Sequence, residues 1–265
     1  MPRVPKIGFH DFLNSKPLLH AFRHGLVAAP FELVIDTPSK LADRFQSGEL
    51  DMALIPSIEY ARTRDAVIVP DVCIASLGKV ETVLVYTDRA LEDIESVAAD
   101  ARSRTSVAML EILFRHKFGR IPTITPVDEA PNLMLRDADA GLVIGDAAFH
   151  VDRARHIVHD LGELWYQHSG RPFVHAVLCA HKGDRWDGAV AAIAEAKQAG
   201  LRHRELVARQ ETRNPDEMRR VYEYLTARIF YDLGEAERDG LAYFLSSARE
   251  LGLCERDDLA FYPGE

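Results

Sequence analysis

The period of apolar positions changes several times along the chain. Val4 to Phe9 is a short run with apolar and β-branched residues, which predicts a strand. Asn14-Ser15 then precedes Lys16-Pro17-Leu18-Leu19. A polar pair before a proline predicts a helix start, because proline suits the first turn and needs no N–H there. That helix is expected to reach about His24 and stop at Gly25. Phe31 to Ile35 reads as the next strand. Ser39 to Ser47 reads as a helix with Leu41 and Phe45 on one face and Gly48 as its stop.

Two later segments share a form. Asp51-Met52-Ala53-Leu54-Ile55-Pro56-Ser57 and Asp139-Ala140-Gly141-Leu142-Val143-Ile144-Gly145-Asp146 are both apolar runs that open into small or polar residues and then a helix start. Such runs suit strands buried on both faces of a parallel sheet. They are read as equivalent positions in two similar α/β lobes, with Ser57 capping Ile58-Glu59-Tyr60-Ala61 and Asp146 leading into Ala147-Ala148-Phe149. Val80 to Thr87 is a strong strand signal. Ser103-Arg104-Thr105-Ser106 leads into a helix whose Val107, Leu110, Phe114 and Phe118 share one face, ending at Gly119. Phe173 to Ala180 reads as a strand interrupted by His175. Beyond Trp186 the pattern is mostly helical, with a start at Asn214-Pro215-Asp216-Glu217. An apolar stripe follows over Leu241, Phe244, Leu245, Ala248 and Leu251, stopping at Gly252.

This order predicts two parallel-sheet lobes joined by crossing strands, then a helical tail. In open α/β sheets ligands bind beyond the carboxyl ends of strands, often between domains. That directs attention to Asn14-Ser15, Ser57, Thr82, Thr105-Ser106 and Gly145-Asp146.

Composition narrows the function. The 265 residues are 47% hydrophobic and 28% charged, a balance that excludes a disordered chain. No apolar run approaches the roughly 18–20 residues of a membrane helix. The net charge of −9 argues against a nucleic-acid or anionic-membrane binder, yet leaves room for an anionic ligand held by a local field. Cys73, Cys179 and Cys254 are odd in number and far apart, so reduced thiols are expected, without a disulfide framework or a thiolate zinc site. The first residues lack the apolar stretch of a secretory signal, and a cytoplasmic protein is expected.

Neither G-x-G-x-x-G nor G-x-x-x-x-G-K-[ST] occurs, and G-x-S-x-G is absent too, so nucleotide-phosphate binding and an α/β-hydrolase elbow lack support. His156 and His159 would point to opposite faces of a strand, so no metal pair is expected, and no cofactor. The Lys- and Arg-rich stretch from Lys197 to Arg213, which also carries Glu205 and Glu211, reads as a solvated helix face. Asn14-Ser15 and Thr105-Ser106 read either as simple caps or as turns whose N–H groups bind an anion. Two such helix starts facing one cleft would hold a dicarboxylate. Lys16, Lys79 and Arg104 are the nearest basic residues, Asp146 reads as a helix cap, and a general base could sit at His10 or Asp11.

Taken together, several segments resemble the chorismate dehydratase family of the futalosine route to menaquinone. The carriers are Ile7-Gly8-Phe9-His10-Asp11-Phe12-Leu13-Asn14-Ser15-Lys16-Pro17-Leu18, Gly48 to Tyr60, Thr105-Ser106-Val107-Ala108, Ile144-Gly145-Asp146 and Asp160 to Tyr166. Tyr231-Asp232-Leu233-Gly234-Glu235 supports them. The resemblance implies an α/β, two-lobed, periplasmic-binding-protein-like (type 2) fold with the ligand cleft between lobes. It places residues 1–83 with 176–265 in one lobe and 84–175 in the other. The implied reaction is loss of water from chorismate, giving 3-[(1-carboxyvinyl)oxy]benzoate.

Carried over by position, Asn14 and Thr82 are the implied catalytic residues beside the reacting ring. Ser57, Thr105 and Ser106 fall on carboxylate-binding turns, and His10, Ser15, Lys79, Gly145 and Asp146 complete the implied substrate contacts. No position offers a strong protein base, so the substrate's own enolpyruvyl carboxylate is the expected proton acceptor. Gly78-Lys79-Val80-Glu81-Thr82 departs from the family's frequent Gly-Pro-Val-x-Ser, and Arg104 stands where small residues are usual. The alternatives are a non-catalytic small-anion solute-binding protein of the same fold and the sister pathway enzyme 1,4-dihydroxy-6-naphthoate synthase.

Overall fold

The computed structural model describes residues 3–263. Residues 1, 2, 264 and 265, which the N-terminal reading and the first lobe's expected bounds include, lie outside the described residues. Ten strands form two five-stranded sheets. The first comprises β1 (Lys6–Phe9), β2 (Glu32–Ile35), β3 (Met52–Pro56), β4 (Ala66–Ser76) and β10 (Phe173–His181), in the order β2-β1-β3-β10-β4. The second comprises β5 (Val83–Thr87), β6 (Ser96–Asp100), β7 (Thr123–Val127), β8 (Ala140–Ile144) and β9 (Ile157–Asp160), in the order β7-β6-β8-β5-β9. The chain leaves the first sheet over residues 77–82 and returns over 170–172.

The helices are α1 (Lys16–Arg23), α2 (Pro38–Gln46), α3 (Ser57–Arg62), α4 (Thr105–Phe118), α5 (Pro131–Met134), α6 (Leu161–Ser169), α7 (Asp187–Arg202), α8 (Arg204–Glu211), α9 (Pro215–Glu223) and α10 (Glu235–Glu250). None is long and apolar enough to cross a membrane.

The α/β, two-lobed expectation holds, but the sheets are mixed rather than parallel. β1 runs parallel to β2 and β3, while β10 runs antiparallel to β3 and β4. In the second sheet β6 runs parallel to β7 and β8, while β5 runs antiparallel to β8 and β9. The reversed strands are the two by which the chain crosses between lobes. A strand that enters from the other lobe starts at the cleft, where the parallel strands end, so it must run against them.

β3 and β8 are each fully buried and occupy the same central place in their sheets. Other expectations shift in detail. Asn14 and Ser15 lie in a 3-10 turn (Leu13–Ser15) before α1, and neither side chain caps the helix. Likewise β8 opens into a 3-10 turn (Gly145–His150) instead of an α-helix. α4 buries Met109, Ile112 and Leu113 besides Leu110 and Phe114, because it packs on α3, α6 and α10 as well as on β10, so a single-face description is too narrow.

The tail is helical, and Asn214 caps α9 by accepting from Asp216 N and Glu217 N at 2.9 and 3.3 Å. Lys197 corrects the reading of a solvated basic face. It is 3% exposed and its Nζ donates to the Asp232 carboxylate and the Asp71 carbonyl, since α7 turns this position onto the sheet. All three cysteines are free and buried.

At the rear, the Trp165 ring of α6 meets Phe173 of β10 edge-on at 5.1 Å and Phe244 of α10 at 5.8 Å, a buried aromatic knot shared by both lobes. At the front, Gly200 of α7 lies against α1: a Cβ there would sit 1.7 Å from the Pro17 carbonyl oxygen. Only glycine permits that approach, which seats the turn bearing Asn14.

Candidate functional site

A cleft lies where the two sheets face each other. From the first lobe it is lined by His10, Phe12, Asn14, Ile74, His175 and Ala176, among others, and from the second by Arg102, Ser103, Arg104, Thr105, Ser106 and Gly145. Thr82 comes from the crossing segment. The cleft thus brings together six of the ten site residues that the resemblance implies, His10, Asn14, Thr82, Thr105, Ser106 and Gly145, together with Arg104.

The other four sit differently. Ser15 and Ser57 are fully buried, and both hydroxyls are committed to backbone carbonyls: Ser15 Oγ donates to His10 O, and Ser57 Oγ to Val174 O at 2.6 Å. They shape the cleft wall without facing it. Lys79 is exposed and makes no side-chain hydrogen bond or ion pair among the described residues. Asp146 turns away from the cleft, toward a second hollow shared with Glu211 and Arg220, and its Oδ1 accepts from Leu13 N at 3.1 Å. Burial pushes its carboxyl above the usual carboxylate range, with the Leu13 N–H and the Lys16 charge opposing.

The lobes are closed on each other. Ile58 N, in the first turn of α3, donates to Thr105 Oγ1 at the start of α4 across 3.3 Å. Arg104 reaches over to Asp43 at 2.7 Å and to the buried Glu59 at 3.2 Å. The Arg102 guanidinium, held by Asp100, lies 5.2 Å from the centre of the Phe12 ring. Gly145 adopts φ +61°, and a Cβ there would come within 3.0 Å of that ring.

Thr82 is presented by an unusual backbone. Glu81 before it has φ +69°, in the left-handed region that side chains disfavour, and the Asp160 carboxylate holds the bend by accepting from Val80 N at 3.1 Å and Glu81 N at 2.6 Å. Thr82 Oγ1 then meets the hydroxyl of Tyr224 at 2.8 Å, beside the Asn14 side chain. Burial pushes the Tyr224 phenol well above its ordinary pKa, so it stays protonated as a donor.

Charge and satisfaction say what the cleft can hold. No aspartate or glutamate lines it, although the chain carries 41 acidic residues. Arg102, Arg104 and the N-terminal turn of the 14-residue α4 line it instead; each guanidinium is paired, Arg102 with Asp100 and Arg104 with Asp43 and Glu59, and the helix end favours negative charge. His10 Nδ1, Asn14 Oδ1 and Ser103 Oγ are buried without any partner. Buried polar atoms are rarely left so, and three on one lining call for a polar ligand. His10 and His175 are neutral imidazoles, burial lowering each to a pKa of about 4.

Sequence reasoning missed Arg102, His175 and Tyr224. Only His175 left a signal, as the residue that interrupts a strand pattern. Tyr224 arrives from far along the chain through a wide helical turn (Tyr224–Arg228) that no local pattern marks.

Comparison with known proteins gives the same direction. The family model described as menaquinone biosynthesis matches residues 5–250. A chorismate dehydratase of Thermus thermophilus is 30% identical over 93% of this chain and 95% of its own. Among solved structures, the alkanesulfonate-binding protein SsuA of Xanthomonas axonopodis pv. citri superposes with a TM-score of 0.70 at 12% identity, covering 98% of this chain and 96% of that one. The CA3427 gene product of Candida albicans, described as having the generic periplasmic binding protein fold, gives 0.66 at 13% identity, over 97% and 92%.

Proposed function

The chain belongs to the menaquinone biosynthesis family, and on that premise we propose that it removes water from chorismate to give 3-[(1-carboxyvinyl)oxy]benzoate, as a hydro-lyase. The observation that carries this reading is a closed cleft whose lining holds no carboxylate and includes a helix N-terminus and two arginines, with polar atoms left unpartnered on its wall. Such a lining suits a small, rigid dianion. The lobes that close on it are taken as residues 1–83 with 176–265 and 84–175. Strand membership supports those bounds and departs from them only at the first residues of β5 and β10.

The chemistry asks little of the protein. The proton on C3 of chorismate is acidified through the conjugated ring carboxylate, and aromatisation drives loss of the C4 hydroxyl. Arg102, Arg104 and the first turn of α4 bind the carboxylates, spreading the charge that develops when C3 loses its proton. Asn14 and Thr82 border the reacting ring. No carboxylate lines the cleft, and the substrate's own enolpyruvyl carboxylate is taken as the base, with the protein orienting it.

Mixing the protein with chorismate tests the reading. Loss of cyclohexadiene absorbance, with an aromatic product lighter by one water that keeps the enolpyruvyl ether, is the expected result. Tight binding without turnover would favour a solute-binding role, the reading that the likeness to SsuA suggests. Neither binding nor turnover would overturn both.

A further inference from the structure

His175 occupies a bulge. β10 pairs with β4 at Val174–Ala75 and resumes at Ala176–Ile74, so His175 is an extra residue without a partner in the register. A bulge re-aims a side chain out of the strand's alternation, and here it leaves the imidazole on the cleft lining beside Ile74 and Ala176. The ring is fixed: its Nε2 lies 2.8 Å from the Oγ of Ser76, which is buried on β4. Among the described residues the Ser76 hydroxyl has no other acceptor within reach. With the Ser76 hydroxyl donating to Nε2, the neutral ring carries its own proton on Nδ1. The result is a rigid N–H donor on a mostly apolar patch of the first lobe, on the wall opposite the lobe that bears Arg102 and Arg104.

We propose that His175 Nδ1–H donates a hydrogen bond to the hydroxyl leaving C4 of the bound substrate, with Ser76 as the residue that positions the ring. This rests on the dehydratase reading above. The C3–H bond breaks and its proton passes to the enolpyruvyl carboxylate. The electron pair, spread into the ring carboxylate, forms the new ring double bond as C4–O breaks. The departing oxygen takes the proton held by the enolpyruvyl carboxyl and leaves as water. His175 keeps its proton throughout and meets the negative charge as it grows on oxygen. A neutral donor suits this place, because the carboxylates are already matched by the opposite wall, and a fixed dipole costs no reorganisation when the bond breaks.

The test compares wild-type protein with His175→Ala, His175→Gln and Ser76→Ala in steady-state turnover of chorismate, with melting curves to show that each is folded. Losing one preorganised donor is expected to lower kcat by about 100-fold in His175→Ala, with KM held within about threefold. His175→Gln, which keeps an N–H donor, should recover about tenfold of that loss, and Ser76→Ala should lose about tenfold through a freed ring. A purely structural role would not give that split or that rescue. The proposal is overturned if His175→Ala keeps kcat near wild type, if its loss lies wholly in KM, or if glutamine does no better than alanine. Should the alanine variant fail to fold, wild-type kcat in both other variants overturns it. If wild-type protein leaves chorismate untouched, the dehydratase reading itself has failed.

Discussion

The two lobes share one plan and divide the work. Each is a five-stranded sheet with two parallel neighbours, a buried central strand and a reversed crossing strand beside it. In the first lobe the cleft wall is neutral: His10, Asn14 and His175, with Ile74 and Ala176 between them. In the second it carries two paired arginines, Arg102 and Arg104, and the start of α4. Central strands also exit differently, β3 into an α-helix and β8 into a 3-10 turn. A repeated framework therefore sets where a ligand sits, while the few residues beyond the strand ends decide which wall anchors charge and which wall meets the reacting part. The closed lining leaves the neutral wall with unpartnered polar atoms, so its specificity is completed by what binds there.

The division can be broken at several strengths. The strongest is Gly200→Val, which drives a side chain into the Pro17 carbonyl. Backbone cannot yield as a side-chain end can, so a loss of at least about 3 kcal/mol is expected in urea unfolding, carried by the first lobe.

Acid comes next. His10 and His175 titrate at about 4 in the folded protein against 6.5 when unfolded. Between those values the unfolded chain binds more protons, so stability is intact above pH 6.5 and falls as the pH drops toward 4. Each imidazole then accounts for about 3 kcal/mol lost by pH 4, and about 2 by pH 5. Burial also lowers His159 and His168 in the second lobe, off the cleft lining, so acid weakens both lobes. Replacing His10 and His175 with glutamine should remove most of the slope between pH 7 and 5, read by urea unfolding at both.

Asn14→Ala removes an amide whose oxygen has no partner in the protein. A fall in kcat of about 100-fold is expected, with a modest fall in melting temperature from the lost hydrogen bond between the Asn14 amide and the Tyr224 hydroxyl. Arg104→Ala touches the other wall and should instead raise the dissociation constant for chorismate by about tenfold or more, steeply dependent on salt, with kcat less affected. Similar kcat and binding losses in both variants would show that the walls do not divide their roles.

Much of this was legible in the chain. The buried runs of β3 and β8 announced equivalent central strands, and the positions beyond strand ends include five cleft residues, Asn14, Thr82, Thr105, Ser106 and Gly145. What was not legible depends on long-range direction. Nothing local in Val83–Thr87 or Phe173–His181 says that these strands run against their neighbours, since a strand's side-chain alternation is the same either way. Ser57 and Ser15 have the residue type of an anion-binding turn, yet whether a hydroxyl faces a cleft or a carbonyl depends on strands far away in sequence. Lys197 shows the same limit: a lysine in a basic stretch reads as solvated until a distant Asp232 is brought beside it.

The crossing of β10 has a further consequence for how the molecule is made. During synthesis β1 to β4 emerge first, but β3 and β4 are not neighbours; β10 must slot between them, and it is translated only after every strand of the second sheet. The second sheet is contiguous and can close as soon as β9 is out. The first waits with a vacant slot whose walls are two hydrophobic edges, a state prone to wrong pairing and slow to resolve because its last contacts span so much chain. Released chains ending before Phe173 should protect the amides of β5 to β9 from exchange while leaving open those of β4 and the β3 amides that face the place of β10.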